Sequence, residues 1–161
     1  MKVLNLVHKE ESDIKYDIFK FPDGEGQITL GEFSHKEDYI DVKCRIINAE
    51  ELFIVCQVCD IFDRHAVNYV LSIYYLMSMR MDRVMDFNRP FTLKIVMDML
   101  WHYNASSIRV LEPHSEVYRR LNPRAEELLW LMLKVLKIYL NILTMCGLLT
   151  HIKIGIIYQI M

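Results

Sequence analysis

Short apolar runs alternate with one clear helical stripe along this chain, and that alternation constrains the fold more than any other feature. Val3–Val7, Tyr39–Ile47, Leu52–Val58, Tyr69–Met77 and Ile108–Leu111 are each four to nine residues long and separated by polar segments. Runs of this length read as strands, and the unbroken ones as strands covered on both faces. Phe91–Tyr103 carries apolar residues at 93, 96, 97, 100 and 101, a helical spacing, and Pro90 suits its first turn. Strands alternating with helices predict an α/β domain, three layers deep, with a mainly parallel sheet.

The intervening segments fill in the rest. Ile14–Phe21 and Gln27–Leu30 read as strands on either side of the turn Pro22-Asp23-Gly24. Asp60–Asn68 has room for about two helical turns. Ser78–Arg89 is charge-dense and reads as a loop. Pro123 is expected to begin a helix running to Leu140, and Ile152–Tyr158 to form a last strand.

Composition narrows the function. The chain has 161 residues, enough for one domain, and 53% hydrophobic against 25% charged residues excludes a disordered or low-complexity chain. A net charge of −2 gives no global electrostatic case for nucleic acid or an anionic membrane. Nothing at the N-terminus reads as a signal peptide, so a cytoplasmic location is expected. Cys56 and Cys59 form a C-x-x-C inside an apolar run, without a second ligand pair at zinc spacing, and read as core residues. After Glu127 the remaining charges are Lys134, Lys137 and Lys153. This apolar tail reads as packing that completes the domain, as an unstable end from a shifted frame, or as a membrane span. Two lysines within the candidate span weigh against the last.

Three constellations carry possible chemistry. Phe21-Pro22-Asp23-Gly24-Glu25 presents an aromatic face and two carboxylates on a turn. Arg80-Met81-Asp82-Arg83 places two guanidinium forks on a loop, which suits phosphate oxygens. Glu112-Pro113-His114-Ser115 follows a strand, where ligands of parallel sheets bind. Taken singly, each also reads as ordinary structure: a hairpin corner, a solvated loop, a lone histidine. There is no P-loop, G-x-G-x-x-G, H-E-x-x-H or nucleophile elbow.

In this order, the three motifs resemble the N-terminal half of ribose-phosphate pyrophosphokinase, the synthetase of phosphoribosyl pyrophosphate. Phe21–Glu25 matches the family's F-x-D-G-E turn. Tyr75–Val84 lies where the family has Y-F-P-Y-A-R-Q-D-R, and Glu112–Val117 is similar to the D-P-H-S-D-V of bacteriophage-type members. The resemblance runs from about residue 15 to about residue 122. It implies a phosphoribosyltransferase-like domain over 1–122 and an added tail over 123–161. It also implies transfer of diphosphate from ATP to ribose 5-phosphate with Mg²⁺, in a homo-oligomer. Phe21, Asp23 and Glu25 would meet the adenine across a subunit boundary. Arg80 and Arg83 would hold ATP phosphates, with Asp82 fixing the loop, and His114 would touch Mg²⁺.

The departures shape what is expected of the chain. Met81 replaces the family's loop glutamine, and the stretch between Asp60 and Tyr69 is short enough that a full helix is expected to shrink to a turn or two. The family's pentose-phosphate loop, an acidic pair followed by Thr-Gly-x-Thr, has no counterpart in these 161 residues. The expectation is a truncated ATP-binding domain, inactive alone. The alternatives are a non-catalytic assembly partner of a complete synthetase, or a relative acting on ADP-ribose.

Overall fold

The computed structural model describes residues 1–33, 39–111, 113–121 and 125–127. Five strands form one parallel sheet in the order β1-β4-β5-β6-β7: β1 (Lys2–Asn5), β4 (Ile40–Ile46), β5 (Tyr69–Leu76), β6 (Ser107–Val110) and β7 (Ala125–Glu127). A separate antiparallel hairpin pairs β2 (Tyr16–Lys20) with β3 (Gly26–Leu30). Helices α1 (Ala49–Arg64), α2 (Thr92–Trp101) and α3 (Glu116–Leu121) connect successive parallel strands. The α/β class with a mainly parallel sheet is as the sequence predicts.

β5 is the centre of the sheet because its first five residues, Tyr69 to Ile73, are all buried. It pairs on one side with β4, Val42 opposite Leu71, and on the other with β6, Ile108 opposite Leu71. Leu4, Val42, Leu71, Ile73 and Ile108 are fully buried and form the middle of the core.

Two elements differ from their sequence reading. Leu52–Val58 is not a strand; it lies within α1, a helix of 16 residues that also absorbs most of the segment expected to hold only a turn or two. The start of α1 is capped in a way that makes helix the preferred state. Asn48 Oδ1 accepts from the Glu51 backbone N–H at 2.9 Å, and Glu51 Oε2 accepts from the Ile47 N–H at 2.7 Å. The run is continuously apolar because α1 is covered on two sides. Phe62 packs on Tyr69 of the sheet, ring centroids 5.4 Å apart. On the other side Gln57 accepts from Ile28 N–H and donates to the Gly26 carbonyl of the hairpin. A Cβ on Gly26 would sit 3.3 Å from Ile54 Cδ1, so the hairpin backbone lies directly on the helix.

The second difference follows Pro123. Ala125–Glu127 is not the opening of a helix but a strand, paired in parallel with Ile108–Val110. The short helix α3, unanticipated, precedes it and is anchored by Tyr118, whose hydroxyl donates to the Ile108 carbonyl at 3.0 Å. The remainder of the expected tail helix and the strand at Ile152–Tyr158 lie outside the described residues.

α2 matches its stripe, burying Leu93, Val96, Met97 and Leu100. Its N-cap is Phe91, so Pro90 stands just outside the helix rather than in its first turn. Parallel pairing puts the ends of β5 and β6 on one edge of the sheet. The loop 77–91 and residues 113–115 therefore emerge side by side.

Candidate functional site

The loop after β5 begins under strain. Ser78 has φ +67°, the left-handed region that a side chain disfavours, and its buried hydroxyl has no hydrogen-bond partner. The chain then folds back on itself: Met81 N–H donates to the Ser78 carbonyl at 2.8 Å, and Leu93 N–H of α2 donates to the Met81 carbonyl at 3.1 Å. Residues 81 and 93 thereby close the base of the loop.

Asp82 joins this loop to the neighbouring turn. Ser115 Oγ donates to Asp82 Oδ2 at 2.7 Å, and Arg83 Nε donates to Asp82 Oδ1 at 3.0 Å. Ser115 also accepts from Val117 N–H at 3.1 Å, satisfying a free donor at the start of α3. The Ser115 hydroxyl, and then the Arg83 guanidinium, hold the Asp82 carboxyl below its ordinary value.

Arg80, Asp82 and Arg83 line one open cleft of ≈ 610 Å³, shared with Met81, Met85, Arg89, Pro90 and Thr92. His114 is exposed and lines a smaller groove of ≈ 130 Å³ with Tyr74, Tyr75 and Pro113. The Asp82–Ser115 bond thus brings the arginine loop and the His114 turn together, with Arg80 and His114 lining separate cavities among the described residues. Glu112 lies outside the described residues.

Phe21, Asp23 and Glu25 sit elsewhere. They form the exposed tip of the hairpin, closed by Phe21 N–H to the Glu25 carbonyl at 2.8 Å and by Gly24 at φ +94°. Asp23 Oδ1 accepts from Glu25 N–H at 3.1 Å, so this carboxylate serves its own turn. Phe21 stacks edge-on against Phe19, centroids 5.0 Å apart. Phe21 and Glu25 line a third groove, ≈ 460 Å³, with Phe53, Asp60, Arg64 and Tyr103. Arg64 ends α1 and Tyr103 follows α2, where the chain turns back to begin β5 and β6. This groove therefore runs along α1 to the amino edge of the sheet, while Lys20, next to the tip, pairs with Glu50 in the first turn of α1 at 2.9 Å.

The sequence matches no family profile and no curated protein. Among solved structures, the crystal structure of phosphoribosylpyrophosphate synthetase from Mycobacterium smegmatis matches with a TM-score of 0.59 at 13% identity. The fold is similar to that synthetase's. The match covers 74% of this chain and 41% of that one, so this chain spans well under two thirds of its neighbour's length. At this identity the likeness concerns the fold alone.

Among the described residues the thiols offer no second site. Cys44 and Cys59 are buried free thiols, with burial raising both, Cys59 to about 12. Burial also raises Cys56, with the Tyr103 hydroxyl pulling it partly back. Among the described residues, no three His, Cys, Asp or Glu side chains gather as a metal site, and no helix is long and apolar enough to cross a membrane. Ser115, Arg89 and Thr92 were given no role by sequence reasoning. Ser115 was the most accessible of these, since a serine directly before the acidic first residue of a helix is a capping signal.

Proposed function

We propose that this chain is a ribose-phosphate pyrophosphokinase-like domain that binds ATP through the loop after β5. The observation that carries this reading is the Asp82–Ser115 hydrogen bond. It holds an arginine-bearing loop against the His114 turn at the carboxyl edge of a parallel sheet, the edge where such folds bind ligands. Arg80 and Arg83 hold the phosphates, Asp82 sets the loop, and the fold's likeness to a phosphoribosylpyrophosphate synthetase supports the assignment.

The donor set fits a Mg²⁺ that arrives on the triphosphate and not one held by a protein cage. Mg²⁺ is commonly bound through substrate phosphates and only one or two carboxylates, and Asp82 already carries two hydrogen bonds. His114 is the protein group offered to it. Mg²⁺, when bound, would neutralise charge on the phosphates. This chain's own residues bind and orient: Arg80 and Arg83 pair with phosphate oxygens, and Ser115 keeps Asp82 from turning toward them.

These 161 residues contain no Thr-Gly-x-Thr loop to grip a sugar 5-phosphate. Binding without turnover of ribose 5-phosphate is expected from this chain alone. Positioning an acceptor can supply on the order of 7–11 kcal/mol of a barrier, and that contribution is absent. Titration calorimetry with Mg²⁺-ATP, together with AMP release in the presence of ribose 5-phosphate, tests both halves. No binding by the folded chain would remove the reading.

An assembly role is the second reading, and one observation favours it. Phe19 and Phe21 are exposed with their rings 5.0 Å apart, and exposed Phe53 of α1 lines the same groove as Phe21, an apolar group that suits contact with another chain.

A further inference from the structure

The hairpin has two outer edges, and the fold treats them differently. Phe21 N–H donates to the Glu25 carbonyl and Gly31 N–H to the Lys15 carbonyl, so the ladder between β2 and β3 runs through the odd-numbered residues. The even-numbered residues turn their N–H and C=O groups away from the partner strand. On β3 these groups are met, because Gln57 of α1 accepts from Ile28 N–H at 3.0 Å and donates to the Gly26 carbonyl at 2.8 Å. On β2 the exposed residues with outward groups are Ile18 and Lys20, and no donor or acceptor among the described residues meets their main chain.

The two strands also border different cavities. Gly26, Gln27 and Ile28 of β3 line the ≈ 460 Å³ groove that holds Phe21. Ile18 of β2 lines a second groove, ≈ 470 Å³, whose apolar lining comes from Leu6, Val7, Ile54 and Val55. Arg45 stands in this second groove, exposed and with no ion pair among the described residues. The two acids of the groove are already engaged, Glu50 with Lys20 at 2.9 Å and Glu51 with the Ile47 N–H at 2.7 Å.

We propose that the outer edge of β2 is a strand-addition site for an extended segment of a partner protein, apolar at alternate positions and carrying a carboxylate for Arg45. In such a site main-chain hydrogen bonds give affinity, and the groove selects the side chains that alternate toward it. A second copy of this chain fits less well. The one acid on β2, Asp17, is paired with Lys9, so a second β2 brings Arg45 no free carboxylate. Lys20 on the open edge also opposes self-pairing, the use that exposed edges make of lysine. The site uses no residue of the arginine loop, so it stands apart from the ATP-binding reading.

The test follows a blocked, dye-labelled peptide, Thr-Val-Thr-Val-Thr-Asp, binding to the full chain by fluorescence anisotropy. Amide exchange is read at Ile18 and Lys20, with circular dichroism as the fold control. The peptide is expected to bind and to slow exchange at both amides. Ile18→Pro removes an outward N–H that the ladder to β3 does not use, a change that edge strands accept, and should abolish binding. The same peptide N-methylated along its backbone should fail to bind the unaltered chain. Arg45→Ala should weaken binding by about tenfold, as losing a charged hydrogen bond does, and asparagine in place of the peptide's aspartate should do the same. Wild-type affinity in folded Ile18→Pro, or for the methylated peptide, overturns the proposal. So does a folded chain that ignores the peptide, whether it sediments as a monomer or as a dimer that Ile18→Pro dissociates.

Discussion

Ser115 Oγ lies 2.7 Å from Asp82 Oδ2, across the gap between the ends of β5 and β6. One hydroxyl thereby serves two loops, since it also accepts the Val117 N–H that opens α3. The bond ties together segments 33 positions apart and gives the arginine loop its one side-chain tether to a neighbouring strand end among the described residues.

That tether is pH-dependent in a defined direction. The folded Asp82 carboxyl titrates below its ordinary value. Its stabilising contribution is therefore fully present above the unfolded value, about 3.9, and is lost as pH falls through the lower folded value. Asp82→Asn should melt below wild type at pH 7, and the gap should close in acid below about pH 4. Thermal unfolding of both proteins across pH 3–8 checks this. Ser115→Ala should speed amide exchange in residues 78–91 at neutral pH; unaltered exchange there would mean the loop holds itself.

Ser78 offers the opposite outcome, a substitution that stabilises. A side chain at φ +67° costs about 1–2 kcal/mol, and a buried hydroxyl with no partner adds to the cost. Glycine removes both while adding back some unfolded-state entropy. Ser78→Gly should raise unfolding free energy by about 1 kcal/mol, read as a higher urea midpoint at constant slope. A lower midpoint would show that the hydroxyl is satisfied in solution.

The thiols should be inert in the native state. Burial keeps Cys44, Cys56 and Cys59 protonated, with relative exposures of 1%, 5% and 0%. Iodoacetamide at pH 8 followed by peptide mapping should modify these three only after denaturant is added. Rapid native labelling of Cys56 together with Cys59 would revive a redox reading of the C-x-x-C.

How far the fold was legible follows from where each signal was local. β4, β5 and β6 are read from their runs because both their length and their burial are properties of the segment itself. Leu52–Val58 was misread because the feature that makes it continuously apolar, a hairpin lying on the far side of α1, is set by a pairing from Tyr16 to Leu30 that no local window contains. The correcting signal was present in Asn48 and Glu51, whose spacing is that of a helix cap. Ala125–Glu127 was misread because three residues have no periodicity of their own; only the partner β6 makes them a strand. The candidate site divides in the same way. Arg80, Arg83 and His114 follow strand ends and so share an edge by topology. Arg89 comes to the cleft through a loop closure, and the hairpin tip is parted from it by the course of α1.

That parting leads to the last prediction. Phe21 lines a groove along α1 with Phe53, Arg64 and Tyr103, whereas Arg80 and Arg83 line a separate cleft after β5. Among the described residues, Phe21 and the arginines line different cavities, which favours a nucleotide completed between two copies over one held by a single chain. If Phe21 stacks on adenine, it does so on the nucleotide of another copy, and affinity for ATP must then depend on association. Apparent affinity for Mg²⁺-ATP should rise with protein concentration, while tripolyphosphate, which has no base to stack, should bind with an affinity independent of it. Phe21→Ala should weaken ATP by about 1–3 kcal/mol, the loss typical of a base stacked on an aromatic ring, and leave tripolyphosphate unchanged. Asp23 adds little to this in the present geometry, because its carboxylate is held by Glu25 N–H. Calorimetry at several protein concentrations, with sedimentation run alongside, decides the matter. Concentration-independent ATP binding by a monomer, unaffected by Phe21→Ala, would assign the hairpin tip to its own turn and the groove beside α1, with no part in nucleotide recognition.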